Sequence, residues 1–552
     1  MKYPDFIEAA RAGRALRGAG LDRPFTVGSF ELRNAHLVLV LISIFLISNG
    51  VFSTYLQPLP RAVLLAGCVA SFGLAARHLA NPAAGALATV VACPRLLACL
   101  ALGCALTTLG GVGHLVYANS DWLWRDAVLA DLSRSSALPS YAFAHVAADL
   151  RAPIGMYMIP AVFGRLFGLE VAECALWVQN SLCVSLLLYG FSDVFRKRRL
   201  TALAIVVGFG GADVLGCFVR AGHVLSWGQL PSHINAWLGV WQYSSPLTQI
   251  FWAPNHALPG WFLASVIVMD GGAGLGLEWL GLGIAMTMIW SPLSALGAMP
   301  FLLAAFLQQP LRNLRSGTLW IHAGVALAFV PVALFITSNA GSIDHGFSSI
   351  IWTFPELYFI FIMVELTGPV LLALSWPLMS RAWRRLFGLS LAVLLCLPLV
   401  KFGAANDIVM RSSIPALMIL SLMVASALSG EGGLAPLSSR MQGAAMLLVF
   451  GVGLFTPAAE LARAVLMPSY RLSACNFSSV QAQVQPGQIA TNYLIPSDQS
   501  GGGLAIWSGA GARLTPQSTT CWPDRVLPPG AFEGNVSNAD MLRLRGAAAH
   551  PR

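Results

Sequence analysis

The sequence predicts an all-α polytopic membrane protein, and three observations carry that expectation. Hydrophobic residues fill 56% of the 552 positions and charged residues only 10%, whereas soluble domains carry about a quarter charged. Apolar runs of about the length that crosses a bilayer recur along the chain. Lys and Arg gather in a few short stretches between those runs, as they do in loops held on the cytoplasmic side of a membrane. A bundle of spans in lipid grows as one unit, so one large membrane domain is expected rather than several soluble ones.

Ten runs lie near 36–57, 61–79, 96–117, 171–193, 200–219, 317–337, 355–378, 386–402, 412–430 and 441–457. Three shorter ones, WFLASVIVM, EWLGLGIAMTMIW and SALGAMPFLLAAFL, lie between 259 and 309, separated by DGGAGLG and a Ser-Pro step. The densest basic stretches are the tail before Arg33, FRKRR at 195–199, LRNLR at 311–315 and SRAWRR at 380–385. All four belong inside by the positive-inside rule. Five spans then lead to an outer loop at 220–258, and an odd number must bring the chain back to LRNLR. Three short spans satisfy this, for a total of about thirteen; one long tilted span would leave the sidedness unchanged.

The expected division is a cytoplasmic tail (1–34), a transmembrane domain (35–458) and a periplasmic C-terminal domain (459–552). The tail is polar, carries six Lys/Arg and lacks an early apolar run, so the first span is read as an anchor, not a cleaved signal. The net charge of +9 reflects topology, and no nucleic-acid partner is expected. The localisation expected is a bacterial inner membrane.

Four segments fall on the outer face: 118–170, 220–258, 338–354 and 403–411. Within the first, APIGMYMIPAVFGRLFG at 152–168 reads as a helix lying in the interface, with Arg165 snorkelling to headgroups. The tail from 468 onward is rich in Ser, Gln, Gly and Pro and reads as a small domain with some strand content. Cys475 and Cys521 sit in it, and an oxidising compartment would allow them to pair. The other eight cysteines lie in or beside apolar segments and read as small packing residues.

Candidate chemistry lies in three outer clusters. NSDWLWRDAVLADL, at 119–132, forms a short helix with Ser120 or Asp121 as N-cap and an Asp121 to Arg125 pair at i, i+4. Asp121, Asp126 and Asp131 are spaced by five, so they do not share a face. Asp121, at the membrane edge, is the first candidate for catalysis and Asp126 the second; Asp131 is expected to be solvated. The second loop holds five tryptophans up to Trp261 and three histidines, His223, His233 and His256. An aromatic belt accounts for most of the indoles, while Pro254 and Pro259 are expected to stop regular structure around Asn255 and His256, a pair suited to sugar or phosphate. The third cluster is Lys401, Asn406, Asp407 and Arg411. It reads either as an Arg411 to Asp407 pair capping a helix or as an anion site using Arg411 or Lys401, the latter favoured because cations sit against sidedness. Glu365 lies in a span, where it is either functional or packed against a polar partner. Walker, dinucleotide, GxSxG and HExxH motifs are absent from the sequence.

This layout, mainly over residues 96–310, resembles the GT-C superfamily of integral-membrane glycosyltransferases, which includes protein mannosyltransferases and the aminoarabinose transferase of lipid A. The features that carry the resemblance are NSDW after a span, the helix APIGMYMIPAVFGRLFG, a span, the FRKRR turn and short interrupted spans. The resemblance implies a polyprenyl-phosphate-linked sugar as donor, a glycan, lipid or protein acceptor, inversion at the anomeric carbon, and Asp121 as general base with Asp126 in reserve. The departures are Trp122 where many members have a second acid, and a first large loop that follows the third span instead of the first. Arg411, Lys401, Arg220 and Arg151 are the cations available to a phosphate leaving group. No cofactor is expected, and a divalent metal is left open because the aspartates lack ligand spacing. The alternatives are a transporter or flippase of lipid-linked sugars and a non-catalytic polysaccharide assembly protein.

Overall fold

The computed structural model describes residues 26–27, 30–80, 86–143, 146–195, 197–270, 276–403, 406–430, 434–467, 472–484, 490–497 and 510–522. Most of the expected N-terminal tail and residues 523–552 of the expected C-terminal domain lie outside the described residues.

Helices dominate the described residues. Six are long and apolar enough to cross a membrane: Asn34–Tyr55, Pro58–Ala80, Leu169–Ser192, Arg199–Ala221, Arg381–Leu399 and Arg440–Leu466. Two further pairs reach that length only across a bend, Gly317–Leu327 with Val330–Ser342 at 47° and Pro355–Glu365 with Thr367–Leu378 at 69°. The sequence reads both as plain runs, and proline explains the difference. Pro331 has no N–H to give Leu327 and Pro369 none to give Glu365, so each helix loses a rung where it turns. Shorter apolar helices, Cys93–Leu109, Leu277–Thr287, Pro292–Gln308 and Ile414–Leu428, complete the bundle together with Pro254–Asp270.

Ile414–Leu428 is the axis of the core. Every residue from Ile414 to Ala427 is buried, as expected of a helix apolar all round that is enclosed by other helices. Arg199–Gly208, Pro254–Asp270 and Arg381–Cys396 pack around it. Small residues set the closest crossings: a Cβ at Gly103 would stand 2.1 Å from the Ser185 hydroxyl, and one at Gly210 would stand 2.7 Å from the carbonyl oxygen of Gly453. Only glycine permits backbones to approach so closely.

The loop segments meet at one end of the bundle. Asp121–Arg134 packs across the helix Gly155–Phe167, where a Cβ at Gly164 would stand 2.3 Å from the Ser133 hydroxyl. Arg165 does not snorkel: it donates to the carbonyl of Leu132 at 3.0 Å and to the Tyr55 hydroxyl, fastening the two loop helices to the first span. A three-residue strand, His345–Phe347, pairs antiparallel with Val400–Phe402 and joins the third loop to the fourth. In the first loop Leu138–Ala142 and Ala147–Leu150 form a hairpin flanked by two strands from the C-terminal segment, Leu494–Pro496 antiparallel and Ala510–Leu514 parallel. The strand content expected of the tail is therefore built jointly with the first loop. Cys475 and Cys521 form a disulfide. Two of the eight remaining cysteines, Cys174 and Cys396, are exposed on the helix surface rather than packed inside.

Asp131 helps to fasten that assembly and corrects the expectation that it is solvated. It is fully buried, and its Oδ2 accepts from the backbone N–H of Phe477 at 2.8 Å and from the Tyr141 hydroxyl at 3.0 Å. The helix turns Asp131 inward because the C-terminal segment covers that face, a long-range contact invisible to local pattern. Burial pushes its carboxyl up to about 7 despite these donors and Arg134. The folded state then binds more protons than the unfolded one between about pH 4 and 7. Docking of the C-terminal segment is thus strongest below that window and weakens as pH rises through about 7. The opening free energy from hydrogen exchange at residues 472–484, corrected for the intrinsic rise of exchange with pH, should fall across neutrality, and Asp131→Asn should flatten that fall.

Candidate functional site

The best-connected polar cluster at the loop-bearing end is built from three loop segments and the C-terminal tail. Asp121 opens the helix Asp121–Arg134. Its backbone N–H is capped by the Asn119 side chain at 3.1 Å, so neither Ser120 nor Asp121 supplies the cap with its own side chain. Asn119 also donates to the carbonyl of Phe251 at 2.8 Å, which ties the helix start to the second loop. The capping task being met elsewhere, the Asp121 carboxylate is left 47% exposed, held by Arg125 at 3.2 Å. Arg125 lies over the Trp122 ring, donates to the carbonyl of Trp252 and keeps Nη1 without a partner.

Asp407 and Arg411 approach from the fourth loop. They form an i, i+4 pair at 2.9 Å on the short helix Asp407–Ser412, so the helical ion pair, the less favoured of the two readings, is present. Arg411 nevertheless keeps its buried Nε without a partner. The fields of Arg125, Arg411 and Asp407 all act on Asp121. Desolvation by the surrounding protein raises the Asp121 carboxyl above the usual carboxylate range, and the two guanidinium groups oppose that rise.

His256 is buried beside this group. The segment around it is not a loop: it is the first turn of the helix Pro254–Asp270, which carries Pro259 within it. Pro254 is tolerated in the first turn because the N–H groups there have no helical acceptor, while Pro259, one turn on, leaves the Asn255 carbonyl without its helical donor. The His256 ring meets Asn255 through Nε2 at 3.2 Å and Ser291 through Nδ1 at 2.8 Å. Ser294 donates to the carbonyls of His256 at 2.9 Å and Arg411 at 3.2 Å, linking the second and fourth loops. A Cβ at Gly297 would stand 2.1 Å from the carbonyl oxygen of Ser412, and this close crossing is what brings Arg411 to the cluster. The fields of Arg411 and Arg125 both reach His256.

Tyr493, from the C-terminal segment, completes the group. It feels Arg411, Asp121, Arg125 and Asp407, and its ring stacks on Trp124 at 6.2 Å between centroids. Sequence reasoning missed it, along with Ser291 and Ser294. The Ser-Pro step at 291–292 was a visible helix-start signal, whereas nothing local marks Tyr493.

Four other candidates are placed elsewhere. Lys401 pairs with Asp344 beside the ladder of His345–Phe347 and Val400–Phe402. Asn406 takes a left-handed turn and accepts from the Phe402 N–H at 3.1 Å. Arg151 is buried and donates to the carbonyls of Ile336, at 3.3 Å, and Thr491. Arg220 holds the carbonyl of Trp237 at 2.7 Å. Lys401 thus bonds a carboxylate, Arg151 and Arg220 bond backbone carbonyls, and Asn406 accepts a backbone N–H.

Asp126 faces away from Asp121. It is fully buried and meets His114 Nε2 at 3.1 Å, with Glu173 of the helix Leu169–Ser192 beside them. The aromatic belt is also corrected: Trp237, Trp241, Trp252 and Trp261 are buried. Three of them spend their indole N–H groups on buried acceptors, Trp237 on Glu365 at 2.9 Å, Trp252 on Glu460 at 3.1 Å and Trp261 on Gln249 at 2.8 Å. The second loop folds inward over the bundle, so its indoles pack where lipid was expected to take them.

Comparison of the chain with protein-family models, curated proteins and solved structures returns no match.

Proposed function

We propose that the protein is a membrane glycosyltransferase of about thirteen spans, with a cytoplasmic N-terminus, that moves a sugar from a polyprenyl-phosphate donor to an acceptor hydroxyl on the periplasmic side. One observation supports this above the rest: a half-exposed carboxylate, Asp121, stands within the fields of two guanidinium groups that each keep a nitrogen unpartnered. Asp121 accepts the proton of the acceptor hydroxyl. The acceptor oxygen bonds to the anomeric carbon as the carbon–oxygen bond to phosphate breaks. Arg411 and Arg125 take up the charge of the departing polyprenyl phosphate. His256 and Asn255 supply polar contacts for the sugar. Proteoliposomes supplied with a panel of polyprenyl-phosphate monosaccharides should release polyprenyl phosphate; a panel left wholly unconsumed would reject the reading.

A transport reading draws on a different place. Asp213 and Glu365 are both buried, and one oxygen of each, Oδ1 of Asp213 and Oε2 of Glu365, has no hydrogen-bond partner. They flank two helix breaks, at 209–212 and at Leu366, where the Ala212 N–H donates across to the carbonyl of Val364 at 2.9 Å. Paired carboxyls at broken helices suit coupled proton movement. Proton uptake by proteoliposomes on addition of a lipid-linked sugar, lost in Glu365→Gln, would favour transport.

A further inference from the structure

Behind the loop helix lies a cluster that the transfer reaction does not use. Three ligating side chains converge from three elements: His114 from the turn after Cys93–Leu109, Asp126 from Asp121–Arg134 and Glu173 from Leu169–Ser192. One imidazole nitrogen and one oxygen from each carboxylate all lie within 4.8 Å of one another. The side chains of His114 and Asp126 are 5% and 0% exposed.

Glu173 is the independent observation. The residue is 4% exposed, and neither of its carboxylate oxygens has a hydrogen-bond partner. An ionised carboxylate left so is costly. The charges that act on it are Asp126, of like sign, and His114; no guanidinium is among them. His114 is thus the group of opposite sign that faces the buried Glu173 carboxylate.

The local backbone is shaped to present the imidazole. In GGVGH, at 110–114, Gly111 and Gly113 have φ of +90° and +80°, and His114 itself sits at +54°. Non-glycine residues are uncommon in that region, histidine being among those better tolerated, and here the conformation turns the side chain toward Asp126. Trp122 donates to the carbonyl of Gly110 at 2.9 Å and sets its ring edge-on to the imidazole.

We infer that His114, Asp126 and Glu173 bind one divalent transition-metal ion, with zinc the best match. One nitrogen and two carboxylate oxygens from three residues match the ligand types and number of a three-residue zinc site with an open fourth position. Imidazole weighs against magnesium and calcium, which take oxygen ligands. Bonds of about 2 Å to zinc require the three groups to draw inward. The ion takes the place of the His114 to Asp126 hydrogen bond, neutralises both carboxylates and clamps the loop helix to the helix Leu169–Ser192. It thereby fixes the helix that carries Asp121 and Arg125, and its presence does not depend on what the outer cluster catalyses.

The test uses the full chain in detergent, purified without chelator. Elemental analysis should find zinc, or manganese in its place, near one ion per chain, and His114→Ala and Glu173→Gln should each lose it. Stripping the wild type with chelator and returning Zn²⁺ should raise the melting temperature, and the Glu173→Gln protein should show no such rise at the same zinc concentration. Should a variant fail to fold, the wild-type stripping and return still decide. Wild-type protein without a near-stoichiometric divalent ion and without a thermal response to Zn²⁺ or Mn²⁺ would overturn the site. Variants that keep the full metal content would overturn it equally. Neither result depends on sugar transfer, so failure here and failure of the transferase reading are distinguishable.

Discussion

Asp121→Asn is expected to lower sugar transfer by about a hundred- to ten-thousandfold, the range a positioned general base contributes, while the protein stays folded. Two features separate the catalytic effect from a structural one. The helix start is capped by Asn119, so the Asp121 side chain is not needed there. Arg125 keeps its bond to the Trp252 carbonyl when the carboxylate is lost. What remains is an i, i+4 pair between an acid 47% exposed and a guanidinium 8% exposed, so its loss leaves Arg125 with the Trp252 carbonyl and lowers stability by more than a surface pair would. The wild-type rate should also rise with pH on its acid limb, as Asp121 loses its proton. Because desolvation raises that carboxyl, the limb should lie above the usual aspartate range. Transfer measured in proteoliposomes, alongside thermal unfolding of the same preparation, checks both points. Full activity in the variant would remove Asp121 from the chemistry.

The legible part of this protein is whatever obeys a local rule. The apolar runs marked the helices, and the spacing of Asp121 and Arg125, like that of Asp407 and Arg411, gave their ion pairs directly. The five-residue spacing of the aspartates also showed that they face different ways, and Asp121, Asp126 and Asp131 do so: toward the loop-bearing end, toward His114 and toward Phe477. Sequence could not supply the partners on those other faces. Asp131 reads as a surface acid until the N–H of Phe477, 346 residues away, is found on it. Lys401 reads as an anion ligand until strand pairing sets it beside Asp344. Helix breaks divide the same way. Pro331 and Pro369 are visible in the sequence, but a missing rung in an apolar run is compatible with a kink or a break, and packing decides which. The buried tryptophans failed for a related reason: their acceptors, Glu365 and Glu460, lie on distant spans.

Glu460 also yields the largest stability effect expected. It pairs with Arg463 at 2.5 Å, the two residues 3% and 1% exposed. Arg463→Met should destabilise the protein by about 3–5 kcal/mol, because removing one partner leaves the other charge buried and uncompensated. The Trp252 N–H, at 3.1 Å, still reaches Glu460 but offsets little of that. Neutralising the acid as well separates the two contributions. Glu460→Gln with Arg463→Met keeps an oxygen for Trp252 and removes the stranded charge, so it should recover most of the loss. Thermal unfolding in detergent of both singles and the double checks this; a double variant as unstable as Arg463→Met alone would show that Arg463 acts by filling space. The effect should also reach the site. Trp252 gives its indole N–H to Glu460 and its carbonyl to Arg125, and His233 stacks on its ring at 4.2 Å between centroids. A charge stranded at Glu460 loosens the residue that holds Arg125 beside Asp121. Arg463→Met should therefore depress transfer even at temperatures where it remains folded, and the double variant should restore transfer together with stability.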